Sequence, residues 1–259
     1  MRKRVLITGA EGLIGSVLRA KLAARYELIA LTREPREFSN VVADVADLEA
    51  LTKAFAGIDA VIHLAAAAWL DAPWEEVLPN SIVGTRQVFE AARRCGVKTV
   101  VFASSAHVLG CAEDEAAPEI YALDDPRVFD TQAPLRPNSD YAIAKIFGEA
   151  LGRYYSDVHG MRVICLRVGS VLANDDPTSG QTGRGRATQL SRAERFLRMR
   201  AKWLSQRDCA ELFACALEAE NVRWAVAFGT SNNPRQLWSL EEARRLLGYH
   251  PKDAAPREL

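Results

Sequence analysis

The chemistry written most plainly into this 259-residue chain is phosphate recognition near its start. An apolar run from Arg4 to Thr8 ends in Gly9-Ala10-Glu11-Gly12-Leu13-Ile14-Gly15, and a helical pattern begins inside that run. A tight turn needs the first glycine, approach of backbone to a pyrophosphate needs the second, and close packing of helix on strand needs the third. The helix N-terminus then faces the phosphates. Gly9, Gly12, Leu13, Ile14 and Gly15 are therefore expected to bind a dinucleotide. Further on, the apolar run Glu27 to Thr32 is followed by Arg33 and Glu34. A carboxylate at that place binds the ribose 2′-hydroxyl of NAD, whereas an arginine pairs with the 2′-phosphate of NADP. Arg33 favours NADP, with NAD as the alternative because Glu34 comes next.

These residues need a scaffold, and the chain's periodicity supplies one. Apolar runs at Arg4 to Thr8, Leu28 to Thr32, Ala60 to Leu64, Thr99 to Ala103 and Val163 to Val168 alternate with helical patterns. The helices are expected at Leu13 to Arg25, Leu48 to Ala56, Trp74 to Cys95 and Tyr141 to Val158. Nearly all-apolar strands alternating with helices predict an α/β fold built on a doubly wound parallel sheet, the Rossmann arrangement. Residues 1–168 are expected to form the dinucleotide-binding domain and 169–259 a small C-terminal substrate-binding lobe interleaved with it. Two segments break the rhythm. Residues 113–130 hold seven carboxylates and one arginine, with Pro118 and Pro126 predicting a loop, and residues 184–207 hold eight basic residues and one acid. Both are expected near one rim, either as solvated surface or folded against each other as a lid.

Composition narrows the classes. With 49% apolar and 25% charged residues the chain can bury a core, which excludes a disordered or collagen-like reading. Thirty-three basic residues balance thirty-three acidic ones, so there is no overall attraction for nucleic acid or an anionic membrane. The five cysteines are odd in number and contain no Cys-x-x-Cys pair, which argues against a disulfide framework and against a metal site. His63, His159 and His250 are expected to be structural or surface residues. The apolar run after the basic start is too short for a signal peptide, and no stretch of 18 apolar residues exists to span a bilayer, so the expected compartment is cytoplasmic.

The Gly-x-x-Gly-x-x-Gly spacing resembles that of the extended short-chain dehydrogenases/reductases, the NAD-dependent epimerase/dehydratase family. Tyr141-Ala-Ile-Ala-Lys145 matches the family's Tyr-x-x-x-Lys pair. A spacing of four puts both side chains on one helix face, where the ammonium lowers the tyrosine pKa and holds the nicotinamide ribose. With six tyrosines in the chain the spacing alone says little. Its position after the strand Thr99 to Ala103 and the segment Ser104 to Gly110 is what counts, and Ser105 matches the catalytic serine. Asp44-Val45 resembles the adenine-contacting pair, His63-Leu64-Ala65-Ala66 the segment beneath the cofactor, and Asn80-x-x-x-Gly84-Thr85 the central-helix motif. Arg167-Val168-Gly169-Ser170 and Leu247-Gly248-Tyr249-His250-Pro251 also fit.

Within that family the pattern most resembles the uronate dehydrogenases, which oxidise the anomeric carbon of a uronic acid to a lactone. The points of likeness are Ala103-Ser104-Ser105-x-His107, Lys145-x-Phe147-Gly148-Glu149, Val168-Gly169-Ser170 and Arg198-Met199-x-x-x-Trp203-Leu204-Ser205-x-x-Asp208. The resemblance implies catalysis by Ser105, Tyr141 and Lys145, with Asn80 steadying the lysine through a water. It places Leu64, Ala65, Ala66, Asp44 and Val45 on the cofactor, His107 and Ser170 on sugar hydroxyls, and Arg198 on the substrate carboxylate. Blander readings make His107 a rim histidine and Arg198 one more arginine of a basic run. Ala68 and Ala106 stand where those enzymes have polar contacts. The 36 residues from Ser105 to Tyr141 and an insertion at 174–194 also imply a remodelled pocket.

The expected activity is NAD(P)-dependent hydride transfer at a hydroxyl or carbonyl carbon of a small polar substrate, a sugar or sugar acid. One alternative is a nucleotide-sugar epimerase or dehydratase, although a short lobe leaves little to grip a nucleotide. Another is a non-catalytic NADP-binding redox sensor, which would not need Ser105, Tyr141 and Lys145. The family resemblance also implies a homodimer through the helices that hold Trp74 and Tyr141.

Overall fold

A computed structural model describes residues 2–179 and 189–258. In chain order the elements are β1 (Arg4–Thr8), α1 (Leu13–Leu22), β2 (Glu27–Thr32), β3 (Val41–Val42), α2 (Leu48–Ala54), β4 (Ala60–His63), α3 (Trp74–Val77), α4 (Gly84–Arg94), β5 (Thr99–Ser105), α5 (Gly110–Ala116), α6 (Asp140–His159), β6 (Arg162–Val168), α7 (Arg192–Lys202), α8 (Gln206–Glu218), β7 (Trp224–Gly229) and α9 (Glu241–Leu247). The strands form one parallel sheet in the order β3-β2-β1-β4-β5-β6-β7. The order reverses between β1 and β4, and the carboxyl ends of those strands leave a crevice where open α/β sheets bind ligands.

Alternate residues of the strands feed two cores. Val5 and Ile7 of β1 pack with Val17, Leu18 and Leu22 of α1 and with Leu212, Phe213 and Leu217 of α8. Leu6, between them, faces Leu51 of α2 and Val88 and Phe89 of α4. Both faces are covered, so the strands carry continuous apolar runs with no polar alternation. Each fully buried side chain of this kind contributes about 1.5–3 kcal/mol.

Several boundaries differ from the sequence expectation. The single helix expected from Trp74 to Cys95 is interrupted by a π-helical turn at Leu78–Val83. Pro79 has no N–H to donate to the carbonyl four residues back, and the wider turn accommodates that gap. The acidic segment 113–130 is not wholly loop, because its start lies on α5, and Glu113, far from being solvated, is buried. After residue 168, β7 extends the sheet beyond β6 and α8 packs on α1, so the C-terminal third shares its core with the part before it. What stands apart as a lobe is α7 with the segments around it, over a third apolar cluster that includes Ile120, Tyr121, Phe228 and Trp238. Of the basic run 184–207, Arg184 and Arg186 lie outside the described residues. Among the described residues no helix is long and apolar enough to cross a membrane, and all five cysteines are free thiols.

Candidate active site

The glycine run forms the turn from β1 into α1. Gly9 has φ +66°, and a Cβ there would lie 2.9 Å from the Ala65 backbone nitrogen. A Cβ on Gly15 would lie 2.6 Å from the Gly9 carbonyl oxygen. These two glycines are required by the fold itself. Gly12 is different, because a Cβ on it would meet nothing closer than 3.4 Å. It caps α1 without any side-chain bond to the helix's first N–H groups. That open cap is suited to a pyrophosphate, so the residues present fit a dinucleotide. Gly9, Gly12, Leu13, Ile14, Gly15 and Leu64 all line a cavity of about 670 Å³ at the carboxyl ends of the strands.

Beneath the turn, Thr8 Oγ1 accepts from the backbone N–H groups of Leu64 and Ala65, each at 3.2 Å. It also bonds Nδ1 of His63 at 2.8 Å, and Nε2 of His63 meets Thr85 Oγ1 at 3.0 Å. His63 is thus a structural tie between β1, β4 and α4. Burial, aided by the nearby Lys145 charge, pushes its pKa down to about 3.

The opposite wall comes from β5 and α6. Ser139 caps α6 by accepting from the Ala142 N–H at 3.2 Å, which fixes Tyr141 in the first turn and Lys145 one turn on. Burial raises the Tyr141 pKa, and the neighbouring Ser105 hydroxyl opposes this only in part. Lys145 Nζ donates to the Ala103 carbonyl at 2.7 Å and lies 5.5 Å from the Tyr141 ring centre. Burial brings the lysine's own pKa down to about 8. One turn beyond, Glu149 is held by Arg167 of β6 through bonds of 2.9 and 2.8 Å, and Ser104 Oγ donates to it at 2.6 Å. This buried pair locks α6 onto β5 and β6 and so sets the height of Tyr141 and Lys145. The sequence holds Glu149 and Arg167 inside matched motifs, but nothing local marks them as partners.

The far end of the cavity is lined by His107, Ser170, Arg198, Met199 and Lys202, with Ala68, Trp69 and Leu70 on its rim. Ser170 is held by an isolated bridge to Trp203, with its N–H on the Lys202 carbonyl at 2.7 Å. His107 follows a Ser105 cap, packs edge-on to the Tyr141 ring at 6.4 Å and is kept neutral, its pKa pushed to about 3 mainly by burial. Arg198 Nε donates to Glu113 at 3.1 Å. Burial disfavours its charge, but Glu113 and then Tyr121 outweigh that, and its pKa is raised. Lys202 was not anticipated, although its spacing of four from Arg198 puts both on one helix face.

Other expected residues lie outside this cavity. Asn80 sits in the π turn and donates to its own helix at the Glu76 carbonyl, 2.8 Å away, and has no direct bond to Lys145. Arg33 is exposed just past β2, where Thr32 Oγ1 donates to the Glu34 carbonyl at 2.7 Å and shapes the turn. Asp44 accepts from the Ala46 N–H at 2.8 Å, Val45 packs against Gly84, and Ala65 and Ala66 flank the glycine turn without lining the cavity.

A parallel sheet with a switch point, a glycine cradle and a Ser-Tyr-Lys constellation define a dinucleotide-dependent oxidoreductase fold. Residues 5–226 match the model of the NAD dependent epimerase/dehydratase family. The chain belongs to that family, as an enzyme of the extended short-chain dehydrogenase/reductase type. It is 36% identical to an NAD-dependent glucose-6-phosphate dehydrogenase of Haloferax volcanii, over 98% of this chain and 94% of the relative. It is 39% identical to the L-arabinose 1-dehydrogenase (NAD(P)(+)) of the same organism, over 96% of each. Among solved structures, a mutant uronate dehydrogenase from Agrobacterium tumefaciens complexed with NAD superposes with a TM-score of 0.80 at 28% identity, covering 98% of this chain and 86% of that one.

Proposed function

We propose that the chain oxidises a hydroxyl carbon of a small sugar or sugar acid, the anomeric carbon in the first instance, with a nicotinamide dinucleotide as hydride acceptor. The observation that carries this reading is the cavity itself. It has a glycine cradle at one end, Ser105, Tyr141 and Lys145 along one wall, and Arg198 at the other end.

The cofactor, when bound, accepts the hydride. Tyr141 takes the hydroxyl proton at its phenolic oxygen, and the Ser105 hydroxyl, on the same cavity wall, orients the reacting group. Lys145 stabilises the phenolate from the same helix face and is anchored by the Ala103 carbonyl. Asn80 is assigned a supporting role through water, since it makes no direct bond to the lysine. His107 and Ser170 contact sugar hydroxyls and Arg198 a substrate anion. Arg33, exposed and charged beside the cofactor end, makes NADP the preferred dinucleotide, with NAD also accepted. Asp44 and Val45 serve the adenine, and Leu64, Ala65 and Ala66 the underside of the cofactor. The exposed apolar side chains Val83, Ile143, Tyr154 and Val158 on the central helices favour a homodimer, which light scattering tests directly. The free thiols suit a cytoplasmic setting.

A panel of aldoses, uronic acids, sugar phosphates and simple alcohols with each cofactor, followed at the reduced-nicotinamide absorbance band, tests the function. Turnover of a sugar or sugar acid supports it. Equal turnover of simple alcohols overturns the substrate class.

A further inference from the structure

The proposed mechanism uses Arg198 and leaves its neighbour unexplained. Lys202 lies four residues along α7, its side chain 2% exposed, yet it lines the cavity. A buried ammonium is costly unless paired and hydrogen-bonded. Its partner is Glu113 of α5, 89 positions away, whose two carboxylate oxygens lie 2.9 and 2.8 Å from Nζ. The same carboxylate accepts from Arg198 Nε at 3.1 Å and from the Tyr121 hydroxyl at 2.8 Å. An ammonium has three N–H donors, and both bonds described for this one go to a single carboxylate.

The charges at this end can be counted. Burial opposes ionisation of Glu113, but Lys202 and then Arg198 outweigh it and hold the carboxyl well below its usual range. His107 is neutral at ordinary pH. Asp114, which accepts from Asn138 Nδ2 at 3.0 Å, acts as a weaker counter-charge on both Lys202 and Arg198. Among the described residues Lys202 and Arg198 thus share Glu113 as the one carboxylate that both hydrogen-bond.

We propose that Lys202 is a specificity-determining residue, acting with Arg198 as a two-cation receptor for an anionic group on the substrate, and that Glu113 is the positioning residue that orients both cations from behind. The proposal rests on the sugar-dehydrogenase reading, which puts the reacting carbon at Tyr141 and the anionic group at the far end. Glu113 lets two like charges stand side by side before the substrate arrives, so binding needs little reorganisation. The receiving chemistry is that of a carboxylate or a phosphate.

The test compares wild type with Lys202→Met and with the double variant Lys202→Met/Glu113→Gln, using D-glucuronate, D-glucose 6-phosphate and D-glucose. KM and kcat are measured for each, and D-glucuronate is titrated calorimetrically onto the enzyme with reduced cofactor, so that binding is read without turnover. Lys202→Met is expected to raise the KM for D-glucuronate about tenfold or more, with far smaller changes in its kcat and in the constants for D-glucose. The double variant leaves Arg198 uncompensated and is expected to bring that KM back to within about threefold of wild type. A purely structural pair would show loss and rescue for D-glucose as well as for D-glucuronate, because the unpaired buried carboxylate would act through the fold and not through the substrate's charge. Equal effects on D-glucuronate and D-glucose, or a double variant as poor as the single one, would overturn the proposal. A Lys202-dependent preference for D-glucose 6-phosphate would support the anion receptor and assign it to phosphate. If no sugar is oxidised, the dehydrogenase reading falls by itself. Calorimetric binding of D-glucuronate then decides the receptor: dependence on Lys202 supports it, and independence overturns it.

Discussion

The two ends of the cavity are built by different means. The cofactor end is made of backbone: Gly9 and Gly15 allow close approach, Gly12 leaves a helix cap open, and Thr8 Oγ1 ties the neighbouring loop down. The substrate end is made of buried charge, with Glu113 joining Arg198 and Lys202 and with Glu149 and Arg167 bracing the helix between the two ends. A backbone cradle that admits no Cβ at Gly9 or Gly15 leaves little room for variation and serves a cofactor common to a family. A charged wall can be altered one residue at a time, which is how substrate preference changes on a constant fold.

The sharpest way to separate the two ends is Tyr141→Phe, which removes the proton-transfer oxygen between them. Turnover is expected to fall by on the order of 10²–10⁴ while cofactor affinity, read by fluorescence titration, stays nearly constant. Loss of both together would mean that the wall and the cradle are one cooperative unit.

Next in size is Arg198→Ala. It is expected to cost about 2–5 kcal/mol in kcat/KM for an anionic sugar, because it removes one cation and leaves Glu113 with Lys202 alone. A neutral aldose should lose far less. Equal losses for both substrates would reduce the arginine to a strut of the lobe.

The cofactor end has its own acid sensitivity through His63. Its folded pKa, about 3, lies below the ordinary 6.5. The unfolded chain therefore binds the proton more readily, and the stability from neutral His63 is complete above about pH 6.5 and is lost as pH falls towards 3. Between pH 6.5 and 5 this amounts to about 2 kcal/mol. Denaturant unfolding at both pH values should show a shallower loss in His63→Gln. An unchanged slope would place the acid sensitivity elsewhere.

The smallest expected effect is at Arg33. Its replacement by Asp should reverse a preference for NADPH over NADH of about tenfold, since the side chain is exposed and screened. Equal affinities, unchanged by the substitution, would mean that the cradle reads only the pyrophosphate.

The same contrast explains what was legible in the sequence. The glycine run, the apolar strands and Tyr141 with Lys145 are local patterns whose spacing reflects a turn, a pleat or a helix face. The partnership of Glu113 with Lys202 spans 89 positions and exists only after the acidic segment has folded back over α7. Proline and charge density in that segment suggested a loop and concealed a buried carboxylate. The bond from Asn80 to the Glu76 carbonyl was likewise not legible, since a π turn shifts the register of every side chain in it.

The most direct test of the central claim, that hydride leaves a sugar's anomeric carbon for the nicotinamide, is a deuterium transfer measurement. Sugars and sugar acids deuterated at C1 are incubated with the enzyme and oxidised cofactor, and the cofactor and sugar products are analysed by mass spectrometry. The account predicts that reduced cofactor accumulates carrying the deuterium, matched by loss of the label from an oxidised sugar. Reduced cofactor without the label, or sugar altered elsewhere with no net cofactor reduction, would contradict it.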